Sequence, residues 1–126
     1  MKQHLVFKHK LIGKIAVGNA HGAYVQTPNL DFERIKKLRA ALSVPLVLHG
    51  CSDIPHEQLQ ESVRLGMSKF NIATEYFRAC YASICAAADP ENKDGSFMSL
   101  LNEASEGAID FVRGKMRLLN PNGFSL

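Results

Sequence analysis

Two kinds of apolar run alternate along this chain. Lys14-Ile15-Ala16-Val17-Gly18 is short, nearly continuous and ends at a glycine, as a strand buried on both faces does. A loop of small residues follows, from Asn19 to Asn29. Phe32, Ile35, Leu38 and Leu42 then recur at helical spacing, with Lys36, Lys37 and Arg39 between them. This predicts an amphipathic helix opened by Asp31 and ended at Ser43, just before Pro45. Pro45-Leu46-Val47-Leu48-His49 predicts a second strand, and Gly50 to Asp53 a turn. Pro55 suits the first position of the next helix, where a missing N–H does no harm. Gly66 stands where that helix would need a C-terminal cap. Lys69 to Ile72 predicts a third short strand. Thr74 is a candidate cap for a helix reaching the alanines at 86–88. Asp89-Pro90 and Asp94-Gly95 interrupt the chain. Phe97 to Leu119 reads as a last amphipathic helix, with an irregular tail from Asn120 to Gly123.

The order βαβαβα plus one helix predicts an α/β fold, with parallel strands joined by right-handed crossovers. Three such units fall short of an eight-stranded barrel, which takes roughly 250 residues. The helices carry enough apolar surface to cover a larger sheet than these strands make.

Each predicted strand runs out in small or polar residues, and parallel α/β folds bind ligands beyond the carboxyl ends of their strands. His21, Gly22, His49, Gly50, Ser52, Asn71 and Thr74 are therefore expected at one mouth. Neutral imidazole is a common metal ligand, and zinc suits it. His21 and His49 match no local metal signature, so spacing alone leaves open whether they are ligands or ordinary loop residues. Gly22, Gly50 and Ser52 with Asn71 to Thr74 could cradle a phosphate through N–H and hydroxyl donors. Ser52 and Thr74 would also serve as simple helix caps. His4, His9 and His56 lack comparable surroundings and read as solvated.

Composition narrows the classes. The chain has 126 residues, 46% hydrophobic and 21% charged, which suits one soluble globular domain. A net charge of +3 with the two signs interspersed gives no footprint for nucleic acid or an anionic membrane. Lys8, His9, Lys10 and Lys14 break the apolar opening too often for a signal peptide, so a cytoplasmic protein is expected. Three cysteines without a CxxC pair (Cys51, Cys80 and Cys85) read as free thiols of a reducing compartment.

Taken in order, four stretches carry a resemblance. Gly18 to Gly22, Pro28 to Phe32, Val44 to Gly50, and Lys69 to Glu75 together resemble the class II, zinc-dependent ketose-bisphosphate aldolases, in particular their tagatose- and fructose-bisphosphate branch. The likeness runs from about Ile15 to about Gly123, which sets off residues 1–13 as an atypical segment and 14–126 as a partial barrel domain. It implies the C-terminal part of a TIM (β/α)8 barrel, about the last three βα units plus a C-terminal helix. It also implies Zn2+ as cofactor, held by His21 and His49. Gly22 would touch the dihydroxyacetone phosphate moiety, and Gly50, Cys51 (through its backbone N–H) and Ser52 would hold the phosphate. Asn71, Ile72, Ala73 and Thr74 would complete that cradle, with Asn71 also reaching substrate oxygens. The implied reaction is reversible aldol cleavage of a ketose 1,6-bisphosphate to dihydroxyacetone phosphate and glyceraldehyde 3-phosphate, a lyase step of carbohydrate metabolism such as glycolysis. The full-length family implies a homo-oligomer.

The family's remaining zinc histidine, and the aspartate that handles protons, come from earlier strands, and no such Asp-His pair stands in this sequence. Cys51 and Asp53 replace a small residue and a glycine; the charge of Asp53 would oppose a phosphate. Two rivals remain beside an aldolase: an inactive remnant of one, and a phosphate-binding barrel fragment of another class such as an isomerase.

Three parallel strands leave two open edges and helices with uncovered apolar faces. Residues 1–126 alone are therefore expected to be oligomeric or partly ordered, and to lack aldolase turnover. Sizing, thermal unfolding and a coupled assay with added zinc test this. A monodisperse, cooperatively melting monomer that cleaves a ketose bisphosphate would overturn it.

Overall fold

The computed structural model describes residues 13–14, 17–18, 27–89, 96–121 and 123. Its elements are β1 (Gly13–Lys14), α1 (Phe32–Ala41), β2 (Leu46–Leu48), α2 (His56–Arg64), β3 (Met67–Phe70), α3 (Thr74–Ala87) and α4 (Phe97–Leu118). The strands lie in the order β1-β2-β3, and both pairs are parallel. The fold is α/β, as the alternation of patterns predicts.

Leu46, Val47 and Leu48 are all buried because β2 is the middle strand and is covered on both faces. Around them gather Val17, Leu30, Ile35, Ile54, Leu59 and Met67, with Phe32, Leu38 and Leu42 packed at the edge. Asp31 opens α1 by accepting a hydrogen bond from the Arg34 N–H at 2.8 Å. The Asp31 N–H donates to the Val17 carbonyl at 3.0 Å, which fastens the start of α1 to the chain just after β1. Gly18 is needed there twice over. Its φ is +93°, and a Cβ would stand 2.7 Å from the Asn29 carbonyl oxygen.

Several boundaries move from their predicted places. Helix α1 ends at Ala41, with Leu42 already extended (φ −118°, ψ 129°), so the chain straightens earlier than Ser43 on its way to Val44-Pro45. Pro55 is the N-cap of α2 and not its first helical residue: its ψ of 139° is extended, and its carbonyl accepts from the N–H groups of Gln58 and Leu59. Strand β3 begins at Met67, ahead of Lys69. Its register against β2 shifts between Leu46 and Val47, leaving Ser68 as an extra residue, and this bulge hides the strand from a search for alternation. Gly66 stands just past the end of α2 at φ +97°, as predicted for a C-terminal glycine.

Helices α3 and α4 pack on one another. Tyr76 meets Phe111 edge to face, with centroids 6.0 Å apart. Lys115 pairs with Glu75 at 2.7 Å in a largely buried contact. Further along, a Cβ at Gly107 would fall 1.6 Å from Ser83 Oγ and 2.5 Å from Ser83 Cβ, so the helix backbones approach more closely than any larger residue allows. Neither helix has a fully buried residue, and Phe77, Tyr81, Phe97 and Met98 are exposed. Among the described residues, no helix is long and apolar enough to cross a membrane.

Leu59 has no exposed surface, whereas Tyr81 is 71% exposed. Leu59→Ala should cost about 3 kcal/mol in urea unfolding of the native assembly, the usual range for a buried leucine. Tyr81→Ala should change it by about 0.5 kcal/mol or less. Equal effects would contradict this assignment of the core.

Candidate functional site

Parallel pairing does not stop where β2 and β3 stop. The Asn71 N–H donates to the Leu48 carbonyl at 2.9 Å, and the Cys51 N–H donates to the Asn71 carbonyl at 3.1 Å. These two bonds draw the turn after β2 against the turn after β3. The first turn is sharp because Gly50 and Asp53 both take left-handed backbone, at φ 61° and 62°. Aspartate tolerates this conformation better than most residues.

The turns enclose a cavity of about 400 Å³ lined by His49, Gly50, Ser52, Phe70, Asn71, Ile72, Ala73 and Thr74. Seven of the predicted site residues thus share one lining, with Phe70 added. Cys51 does not line it. It lies beneath, fully buried, with its thiol donating to the Leu48 carbonyl at 3.1 Å. Its backbone N–H, expected to serve a phosphate, is spent on Asn71, because the sheet ladder claims it first. His21 and Gly22 lie outside the described residues.

Capping also differs from expectation. Thr74 is the first residue within α3, and Ala73 is the N-cap, with no side chain able to accept. Ser52 supplies the missing acceptor from the other turn, its Oγ receiving the Glu75 N–H at 3.3 Å. The hydroxyl hydrogen of Ser52 remains a donor in its own right. The N-terminus of α3, where backbone dipoles leave partial positive charge, opens on the cavity through Ala73 and Thr74.

His49 is half-buried at the rim. The Asn71 amide nitrogen stands 3.0 Å from its Nδ1 and 3.4 Å from its Nε2. A hydrogen bond of this kind sets both the ring's orientation and the nitrogen that carries the proton. Among the described residues, no group of three or more His, Cys, Asp or Glu side chains comes together to hold a metal.

Two ion pairs flank the site, and sequence patterning did not single them out. Arg78 Nη2 pairs with Asp53 Oδ1 across the two turns. Glu75 pairs with Lys115 on the α4 side. Arg78 could have been noticed four residues after Thr74, on the same helical face. A larger cavity of about 530 Å³ lies between β3 and α4, but its lining is mainly apolar and its Lys115 is already held by Glu75. It lacks the convergent polar groups of the strand-end cavity.

Residues 14–124 match the family model described as fructose-bisphosphate aldolase, class II. The chain belongs to the class II fructose-bisphosphate aldolase family. Among the relatives of this aldolase-family chain is YdjI of Escherichia coli K12, 38% identical over 109 residues, which are 86% of this chain and 37% of YdjI. The crystal structure described as the YdjI aldolase of that organism superposes with a TM-score of 0.77 at 35% identity, over 90% of this chain and 41% of the other. A putative fructose-1,6-bisphosphate aldolase from Coccidioides immitis shares the fold at a TM-score of 0.72 and 24% identity, over 90% of this chain and 39% of its own. The chain thus spans about two fifths of the relatives it matches.

Burial pushes the Cys51 thiol up to about 12; the nearby Glu75 adds to the rise, while the Asn71 backbone and Lys115 work against it. The thiol stays protonated, and unreactive, at neutral pH. In the native aldolase-family chain, exposed Cys85 should be alkylated by iodoacetamide at pH 8, whereas Cys51 should react only after denaturation. The unfolded chain loses this proton near pH 9 and the folded one near 12. Stability should therefore fall as pH rises through that window, because the folded state binds more protons there. Rapid labelling of native Cys51 at pH 8, seen by peptide mass mapping, would contradict its sealed position.

Proposed function

We propose that this chain is the C-terminal portion of a (β/α)8-barrel aldolase and provides the phosphate-holding side of its active site. The reaction assigned is reversible cleavage of a ketose 1,6-bisphosphate to dihydroxyacetone phosphate and glyceraldehyde 3-phosphate. The observation that carries this reading is the single cavity joining His49 to Gly50, Ser52 and Asn71 to Thr74 beyond the ends of two parallel strands.

His49 suits zinc as an imidazole at the rim of a polar cavity. To ligate it, the Asn71 amide would turn so that its oxygen accepts the Nδ1 hydrogen, which leaves Nε2 as the ligating nitrogen. One such ligand does not make a catalytic centre, which takes three protein ligands and an open position. His21 would be a second ligand, and the upstream part of the barrel would supply the third and the general base. When bound, zinc supplies Lewis-acid polarisation of the ketose oxygens. The chain's own residues do the rest by binding and orientation. Asn71 holds the His49 ring and reaches substrate oxygens. Ser52 accepts the Glu75 N–H and donates its own hydrogen to a phosphate oxygen, so capping and ligand binding are one arrangement. Thr74 and the first turn of α3 add donors and a favourable dipole. Fixing the phosphate removes rotational freedom from the triose half and keeps its reacting carbons oriented in the site.

In an assembly that turns over a ketose bisphosphate, His49→Ala should remove most bound zinc and most activity. Ser52→Ala and Thr74→Val should each raise KM about tenfold while zinc content holds, the loss expected for one hydrogen bond to a charged group. Survival of both zinc and activity in His49→Ala would overturn the ligand assignment. A protein that binds phosphate yet never turns over would instead be an inactive relative.

A further inference from the structure

We propose that Arg78 balances the charge of Asp53, and that this pair sets how strongly the strand-end cavity holds a phosphate. The inference rests on the phosphate reading of that cavity. Asp53 follows Ser52 directly, and Arg78 lies one helical turn beyond Thr74 on α3. Each partner is thus next to a residue that lines the cavity, on opposite walls.

The backbone conformation at residue 53 does not call for a charge. At φ 62°, glycine or asparagine would serve as well. Aspartate instead places a carboxylate beside a site proposed to take an anion. Glu75 places a second one close by, and Lys115 answers it at 2.7 Å. With Arg78 on Asp53, both carboxylates next to the cavity carry a cationic partner. Attraction for an anion then comes from the N–H and hydroxyl donors, unopposed by net negative charge.

A mechanical role for the pair is the competing explanation, and magnitudes count against it. The two side chains are 57% and 32% exposed, and pairs of that kind contribute at most about 1 kcal/mol to stability. The walls they join are already tied by the Cys51 N–H to the Asn71 carbonyl and by the Glu75 N–H to Ser52 Oγ. An unanswered carboxylate beside a phosphate acts on ligand affinity directly, and at an intermediate dielectric it should weaken binding about three- to tenfold.

The test is titration of the full chain with inorganic phosphate, followed by 31P line width or calorimetry. Arg78→Ala should weaken binding about three- to tenfold, and Arg78→Lys should stay near wild type. Asp53→Asn should bind as well as wild type or better. The double variant Asp53→Asn/Arg78→Ala should return to within about twofold of wild type, and the penalty in Arg78→Ala should shrink near 1 M salt, where screening acts within about 3 Å. A double variant as weak as Arg78→Ala would overturn the inference in favour of a tie between the walls. So would unchanged affinity in Arg78→Ala when Thr74→Val does weaken binding, and in that case the cradle itself would stand. Phosphate binding indifferent to both Ser52→Ala and Thr74→Val would instead remove the cradle, and the inference with it.

Discussion

Two backbone hydrogen bonds formed after the strands have ended govern the mouth of this molecule. Asn71 gives its N–H to Leu48 and takes the N–H of Cys51, so the parallel ladder outlasts the regular strands by one rung on each side. Without that rung, Ser52 would not reach the first turn of α3, and His49 would not face the Asn71 amide. The side-chain contacts of the site hang from a main-chain constraint. Polar residues can therefore be gathered here without a rigid hydrophobic wall around each one.

That constraint also explains what could and could not be read from the chain. The strands and helices were legible because Leu46 to Leu48 are buried on both sides, and because Phe32, Ile35, Leu38 and Leu42 share one helical face. The cluster at the strand ends was legible for the same reason: period and topology put His49 to Ser52 beside Asn71 to Thr74. Partnerships across the turns were not legible. Nothing local in Ala73-Thr74 reveals that Ser52 caps α3, that the Cys51 N–H is already taken, or that Asp53 faces Arg78. The bulge at Ser68 and the extended ψ of Pro55 escaped notice because each depends on where a neighbouring element comes to rest.

Family membership and structure meet at a definite scale. The chain matches about two fifths of its relatives, yet a TM-score of 0.77 over 90% of its length shows that this portion keeps the relative's geometry. Within this portion the turns are framed by βαβ packing and by the docking of α4 on α3.

Helix α3 also behaves as a lever. Its first turn faces the cavity, and Glu75 is pinned to Lys115 there, while nine residues after Thr74, roughly 13 Å along the axis at 1.5 Å per residue, Ser83 rests against Gly107. Any side chain at position 107 would force the two helices apart at that far end. The opening would be transmitted along a stiff rod about the Glu75–Lys115 contact and would tilt the first turn of α3, whose Thr74 lines the cavity. A glycine outside the cavity thereby limits which sequences can keep this mouth in shape.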